Sequence, residues 1–195
     1  MAMKNIIIKL STSLLVAASI LTTGCAQIAL NQPKASIDNT QKARSANLAP
    51  AAVGKFVVDP TKSADLDTSI SLRGSNKAIS PVNGSFAQYL QATLTEELKT
   101  AGLLDPNSGA VISGFLTQSS VESFGTGKGV LGARFVVTRG GATRFDKELV
   151  ATSTWETSFV AGIAVPAAAN EYEGLYRKLI GILLDDADFK KALAR

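Results

Sequence analysis

Cys25 is the only cysteine in 195 residues, and the chain has no histidine, so few side chains are able to carry reactive chemistry. Without imidazole there is no base for a Ser-His-Asp or Cys-His arrangement and no histidine ligand for a metal. No Ser-x-x-Lys pattern nominates a serine–lysine pair. Asp185, Asp186 and Asp188 gather carboxylates as a calcium loop would, but the glycine and closing glutamate of an EF-hand are missing, and capping of a short helix accounts for them. Gly125-Thr126-Gly127-Lys128-Gly129 has the composition of a phosphate loop. It lacks the Gly-x-x-x-x-Gly-Lys-Ser/Thr spacing and runs into Val130-Leu131 instead of a helix, which predicts a mobile hairpin loop. These exclusions predict a protein that is not an enzyme, with no catalytic residue, no cofactor and no metal.

The setting of Cys25 gives it a different role. Residues 1–24 carry Lys4 and Lys9 but no acid, then an apolar run over 10–21, then small residues, which is the layout of an export signal. The run is too short to span a bilayer, which needs roughly 20 apolar residues, and Ser11, Thr12, Ser13 and Ser19 dilute it. Leu21-Thr22-Thr23-Gly24-Cys25 resembles the lipobox of bacterial lipoproteins, although Thr22 stands where that family usually has Leu, Val or Ile. The resemblance implies cleavage before Cys25 and acylation of its sulfur. An ordinary cleaved signal leaving a free thiol, or an uncleaved anchor, are the alternatives. A lone thiol in an exported chain can form no internal disulfide, so acylation explains the odd cysteine. Two or more acyl chains anchor stably, where one binds only marginally. Ala26, where an Asp favours inner-membrane retention in Gram-negative lipoproteins, implies attachment to the periplasmic face of the outer membrane.

Lys4 and Lys9 leave with the signal, so 18 basic and 16 acidic groups remain, a net charge of +2. A balance that close to neutral gives no reason to expect nucleic acid or a polybasic membrane contact. Residues 25–52, from the lipidated cysteine onward, are Ala, Asn, Gln, Ser and Pro with scattered charge and show no period, which predicts a flexible tether. A coil of about 27 residues would span roughly 30 Å. Residues 53–195 then form one domain, with 46% hydrophobic and 18% charged residues overall, the usual globular mix.

Within that domain Phe56-Val57-Val58 and Thr68 to Leu72 predict two strands. Ser85 with Gln88 forms a capping-box pattern, Gly102 suits a left-handed stop, and Phe86, Leu90, Leu94 and Leu98 repeat every four residues between them, so a helix packed on a sheet follows. Three strands are predicted over 110–121, 131–139 and 143–156, the last two joined through Gly140-Gly141. In the third, Phe145, Leu149, Ala151 and Trp155 alternate with polar residues, so one face meets water. In the first both faces are apolar, as in a central strand. Tyr172, Leu175, Tyr176, Leu179, Ile182 and Leu183 mark a second helix, and Asp185 or Asp186 caps a short last one holding Phe189 and Leu193. The order β-β-α-β-β-β-α-α predicts an α+β fold, an antiparallel or mixed sheet of about five strands with two main helices on one face.

Residues 159–169 contain no charge, and Pro166 suits a helix start. Burial as the strand-to-helix connection is the first reading. The other is an exposed apolar lip, formed by Phe159, Ile163 and Val165, that contacts a partner or an acyl chain.

Signal, tether and small α+β domain together resemble Gram-negative envelope lipoproteins: transport-auxiliary lipoproteins of lipid-trafficking ABC systems, YajG-type lipoproteins, and lipoprotein activators of cell-wall synthases. The resemblance implies a non-enzymatic adaptor or accessory subunit of an envelope protein complex, attached to the membrane through Cys25. A lipid or glycolipid binding or transport auxiliary protein is the alternative.

Overall fold

The computed structural model describes residues 27–195. Residues 1–24 and Cys25 lie outside the described residues. Seven strands and four helices follow in the order β1 (Gln27–Ala29), α1 (Ile37–Ser45), β2 (Ala52–Val58), β3 (Ile70–Arg73), β4 (Asn76–Ile79), α2 (Phe86–Ala101), β5 (Ala110–Glu122), β6 (Thr126–Arg139), β7 (Ala142–Glu156), α3 (Ala161–Asp185) and α4 (Ala187–Ala192), with a 3-10 turn at Ala64–Asp67. The fold is α+β. Its strands form two mixed sheets, β1-β4-β3 and β2-β5-β6-β7, with β1 parallel to β4 and β2 parallel to β5. The single sheet of about five strands expected from sequence is thus divided. The strand expected over Thr68 to Leu72 corresponds to β3; β4, which was not expected, pairs with it in a hairpin closed at Gly74, whose φ of 57° a side chain would resist.

The long strands and α2 form for the reasons their sequences suggest. Ser85 Oγ accepts the Gln88 N–H at 3.1 Å, Gly102 ends α2 at φ 76°, and Phe86, Leu90, Leu94 and Leu98 are buried. β5 is an interior strand, and Gly140 and Gly141, both at positive φ, make the two-residue β6–β7 turn. Phe145, Leu149 and Ala151 of β7 face the core. α2 and α3 pack on the inner face of the four-stranded sheet, where Phe56 meets Phe135 and Phe86 meets Tyr172 edge-on, with ring centres 6.0 and 5.4 Å apart.

Residues 126–129, expected in a mobile loop, are ordered as the start of β6, with Lys128 opposite Glu122 and Thr154. Their glycines exist to admit neighbours: a Cβ at Gly127 would overlap the Trp155 ring, and one at Gly129 would crowd Leu175. Gly127→Val should therefore cost about 1–3 kcal/mol by overpacking. Urea unfolding measures the loss, and the emission of Trp155, the only tryptophan, reports its displacement.

The expected tether is the largest correction. From Gln27 onward it belongs to the fold: β1 extends the small sheet, Leu30 is buried, and α1 packs between α2 and α3. Two carboxylates hold it. The Asn31 backbone N–H and side-chain amide donate to Glu173 at 2.7 and 3.0 Å, and the Tyr89 hydroxyl donates to the Asn31 carbonyl at 2.9 Å. The Ser36 N–H donates to Glu97 at 3.0 Å, while the Asn39 amide donates to Glu97 and to the Arg177 carbonyl, both at 2.9 Å. Asn39, Thr40 and Glu97 are buried. A segment fixed by polar groups on buried acids has no apolar period, so its sequence reads as unstructured.

Burial pushes the Glu97 carboxyl above its ordinary range, against the lowering effect of the Asn39 and Ser36 donors. Its folded state holds a proton at higher pH than the unfolded chain does. The stability that this proton supplies is complete below the ordinary value of 4.5 and is lost as pH rises through the folded pKa. The stability of the wild type minus that of Glu97→Gln should accordingly fall with rising pH across this window and level off above it, measured by urea unfolding at a series of pH values.

Candidate functional site

One end of the molecule collects the features that core packing does not explain. β7 ends at Glu156, and Thr157 to Val160 lead into α3. Thr157 Oγ1 donates to the Gly125 carbonyl at 2.5 Å, and Ser158 Oγ accepts the Val160 N–H at 3.1 Å. Arg73 at the end of β3 fastens this segment. Its guanidinium donates to the Ser158 carbonyl at 2.5 Å and the Phe159 carbonyl at 3.3 Å, and lies 5.0 Å from the centre of the Phe124 ring. Ser123 Oγ, buried, donates to the Leu72 carbonyl. The β3–β4, β5–β6 and β7–α3 connections are therefore tied into one rim.

That rim is apolar and exposed. Phe159 is 95% exposed, Phe124 69%, Ile163 62% and Val160 60%, four of the six large exposed hydrophobic side chains among the described residues. Of the lip residues expected from sequence, Phe159 and Ile163 are at the surface and Val165 is buried at 5%. Burial of the whole 159–169 run as a connection does not occur, because residues from Ala161 on are already helix and Pro166 lies inside α3. An unbroken run of Ala, Val and Gly conceals the 3.6-residue period, since no polar residue marks the outer face. Beside the lip a shallow groove of about 260 Å³ is lined by Ile28, Asn76, Ala161, Gly162, Val165 and Pro166. Ile28 belongs to β1, whose first residue, Gln27, stands opposite Lys77 at the start of β4. The chain thus enters the described fold at the lip. Phe124 escaped the sequence reading; its signal is an aromatic between Ser123 and Gly125 in a turn.

Elsewhere the polar clusters have structural tasks. Tyr172 OH shares hydrogen bonds with Ser119 Oγ at 2.7 Å and Tyr176 OH at 2.8 Å; both tyrosines are buried, and burial raises both phenol pKa values, that of Tyr172 to about 12. Asp186 caps α4, accepting the N–H groups of Asp188 and Phe189 at 2.9 and 3.1 Å, and pairs with Lys147 at 2.7 Å; Asp185 pairs with Lys42 at 2.5 Å. Among the described residues no group of three or more acidic side chains is placed to hold a metal. A wider groove of about 650 Å³ lies between β7 and α4 and mixes Arg139, Arg144, Lys147 and Lys191 with Asp146 and Asp188.

No family model and no curated protein sequence matches the chain. Among solved structures it is similar to protein XCC0632 from Xanthomonas campestris, of the family model DUF330, at a TM-score of 0.50 and 8% identity over 82% of this chain and 95% of that one. It is also similar to a chain from Caulobacter crescentus provisionally designated a lipoprotein, at a TM-score of 0.39 and 10% identity, covering 52% of this chain and 82% of that one. The Xanthomonas likeness is one of fold. Among the described residues no helix is long and apolar enough to cross a membrane.

Proposed function

We propose that the chain is a lipid-anchored accessory protein of the bacterial envelope that acts by contact rather than by catalysis, as an adaptor for an envelope protein complex. The observation that carries this reading is where the fold begins. Gln27 is already paired in the small sheet, so one residue, Ala26, separates Cys25 from the domain, two chain steps in all. At about 3.3–3.6 Å per residue that leaves a reach of at most about 7 Å. An acylated Cys25 would hold such a domain against the membrane, where its surfaces are presented at high effective concentration to an assembly in the same layer. Attachment at the periplasmic face of the outer membrane follows from Ala26 by resemblance and belongs to the same proposal.

The interior also favours an adaptor. The space between the four-stranded sheet and α2 and α3 is filled by Phe56, Phe86, Phe135, Tyr172, Tyr176 and Leu179, all essentially inaccessible. One observation favours the second reading, a lipid or glycolipid auxiliary: the apolar lip beside the Ile28–Val165 groove. At about 260 Å³ that groove is below the roughly 300–1,000 Å³ of ordinary ligand pockets, so it suits contact with a lipid surface better than carriage of a lipid.

Photo-crosslinking in intact cells tests the adaptor. Probes replacing Val150, Glu148 and Asp146 on the outer face of β7, and Ile37 on α1, should include a set on one face that captures the same envelope protein. Capture of no protein from any face would contradict the proposal.

A further inference from the structure

We propose that the rim formed by Phe124, Phe159, Val160 and Ile163 inserts into the interfacial layer of the bilayer that holds Cys25, so that the domain docks on the membrane in one orientation. The inference rests on the anchoring of Cys25 and adds a second membrane contact to it.

The occupant is identified by where the chain goes. Gln27 stands opposite Lys77, and the neighbouring Asn76 lines the same groove as Ala161 and Gly162, from which the lip projects. With Cys25 two chain steps before Gln27, its backbone is within about 7 Å of this end of the fold, so the surface that the rim meets is the headgroup and acyl boundary of the bilayer holding the acylated sulfur. Phe159 at 95% exposure would otherwise stand in water on a loop whose carbonyls Arg73 fixes, so the lip is held outward rather than free to fold back. Aromatic and branched side chains at a rigid edge are what shallow insertion into the interface requires. The charges nearby are mixed. Arg73, Lys77 and Lys128 stand against Glu122 and Glu156, leaving a single net positive charge, and Lys128 faces Glu122 across the strands. Attraction to anionic headgroups is therefore a small part of the contact, and neutral phosphatidylcholine should suffice.

The test uses the intact lipoprotein purified from cells and reconstituted at low density into phosphatidylcholine vesicles. With Cys25 capped, Phe159→Cys introduces the one thiol that reacts, and an environment-sensitive fluorophore is attached there. A second chain carries the label through Asn107→Cys, in the exposed turn before β5 at the opposite end of the strands. The label at position 159 should shift its emission to shorter wavelength and be quenched by doxyl-labelled phosphatidylcholine, while the label at 107 remains in water and is unaffected. The response should be the same with and without anionic lipid. An aqueous label at position 159 overturns the proposal. So does a shifted emission without lipid quenching, which would mean that a second copy covers the lip, or quenching confined to anionic vesicles. Labelling of the wild-type chain would show instead that Cys25 is not acylated, so failure of the anchor is read separately from failure of the docking.

Discussion

Cys25→Ala, exported through an ordinary cleavable signal, is expected to leave the membrane fraction and appear as a soluble protein. The effect is large because acyl chains on Cys25, as proposed, would dominate the affinity: each buried methylene contributes about 0.8 kcal/mol, and a single myristoyl chain already binds with an association constant of about 10⁴ M⁻¹. Removing two or more chains therefore reduces partitioning by many powers of ten. The lip of Phe124, Phe159, Val160 and Ile163 remains in this variant, but four partly inserted side chains without a polybasic surface hold a protein weakly. Fractionation of cells with quantification of both fractions measures the outcome. A Cys25→Ala chain that stays with the membrane would mean that the anchor lies elsewhere. Its fold should be unaltered, since among the described residues β1 pairs with β4 through Gln27, Ile28 and Ala29.

Glu97→Ala is expected to cost about 2–6 kcal/mol, from the two donors it leaves without an acceptor. The carboxylate accepts the Ser36 N–H and the Asn39 amide, and removing it leaves buried donors without acceptors at about 1–3 kcal/mol each. Against a total stability of about 5–15 kcal/mol the loss is large. It is also local in origin, because this acid holds the start of α1, at Ser36 and Asn39, to α2. Protease cleavage within residues 30–46 should then rise before the long strands unfold. Glu96, next in sequence, is the control: its pair with Lys99 is a surface contact at 3.3 Å, and Glu96→Ala should lie within about 0.5 kcal/mol of wild type by urea unfolding. Equal effects at 96 and 97 would show that the strap does not contribute.

The two neighbours also show what could be read from sequence. α2 was legible because its cap, its stop and its apolar stripe all lie within the helix, and β7 because polar and apolar residues alternate along it. Glu97 was not legible, because on a helix it looks like any other solvated acid, and only Ser36 and Asn39, some sixty residues earlier, give it a task. The same blindness turned β1 and α1 into a tether: patterns of hydrophobicity report apolar burial, and this segment is held by amides on carboxylates. In the candidate site, Phe159 and Ile163 were legible as an uncharged run, but the side facing water was not, since the run has no polar residue to mark it. Phe124 joins them only through the Arg73 contact. Cys25 is the reverse case, a residue whose role rests on its sequence context alone.

Purification of the intact lipoprotein from its own membrane, with identification of every bound protein and lipid, tests the adaptor reading most directly. A protein partner in fixed ratio, with no lipid beyond the acyl groups on Cys25, is the expected result. A stoichiometric lipid held without any protein partner would contradict it and establish the carrier in its place.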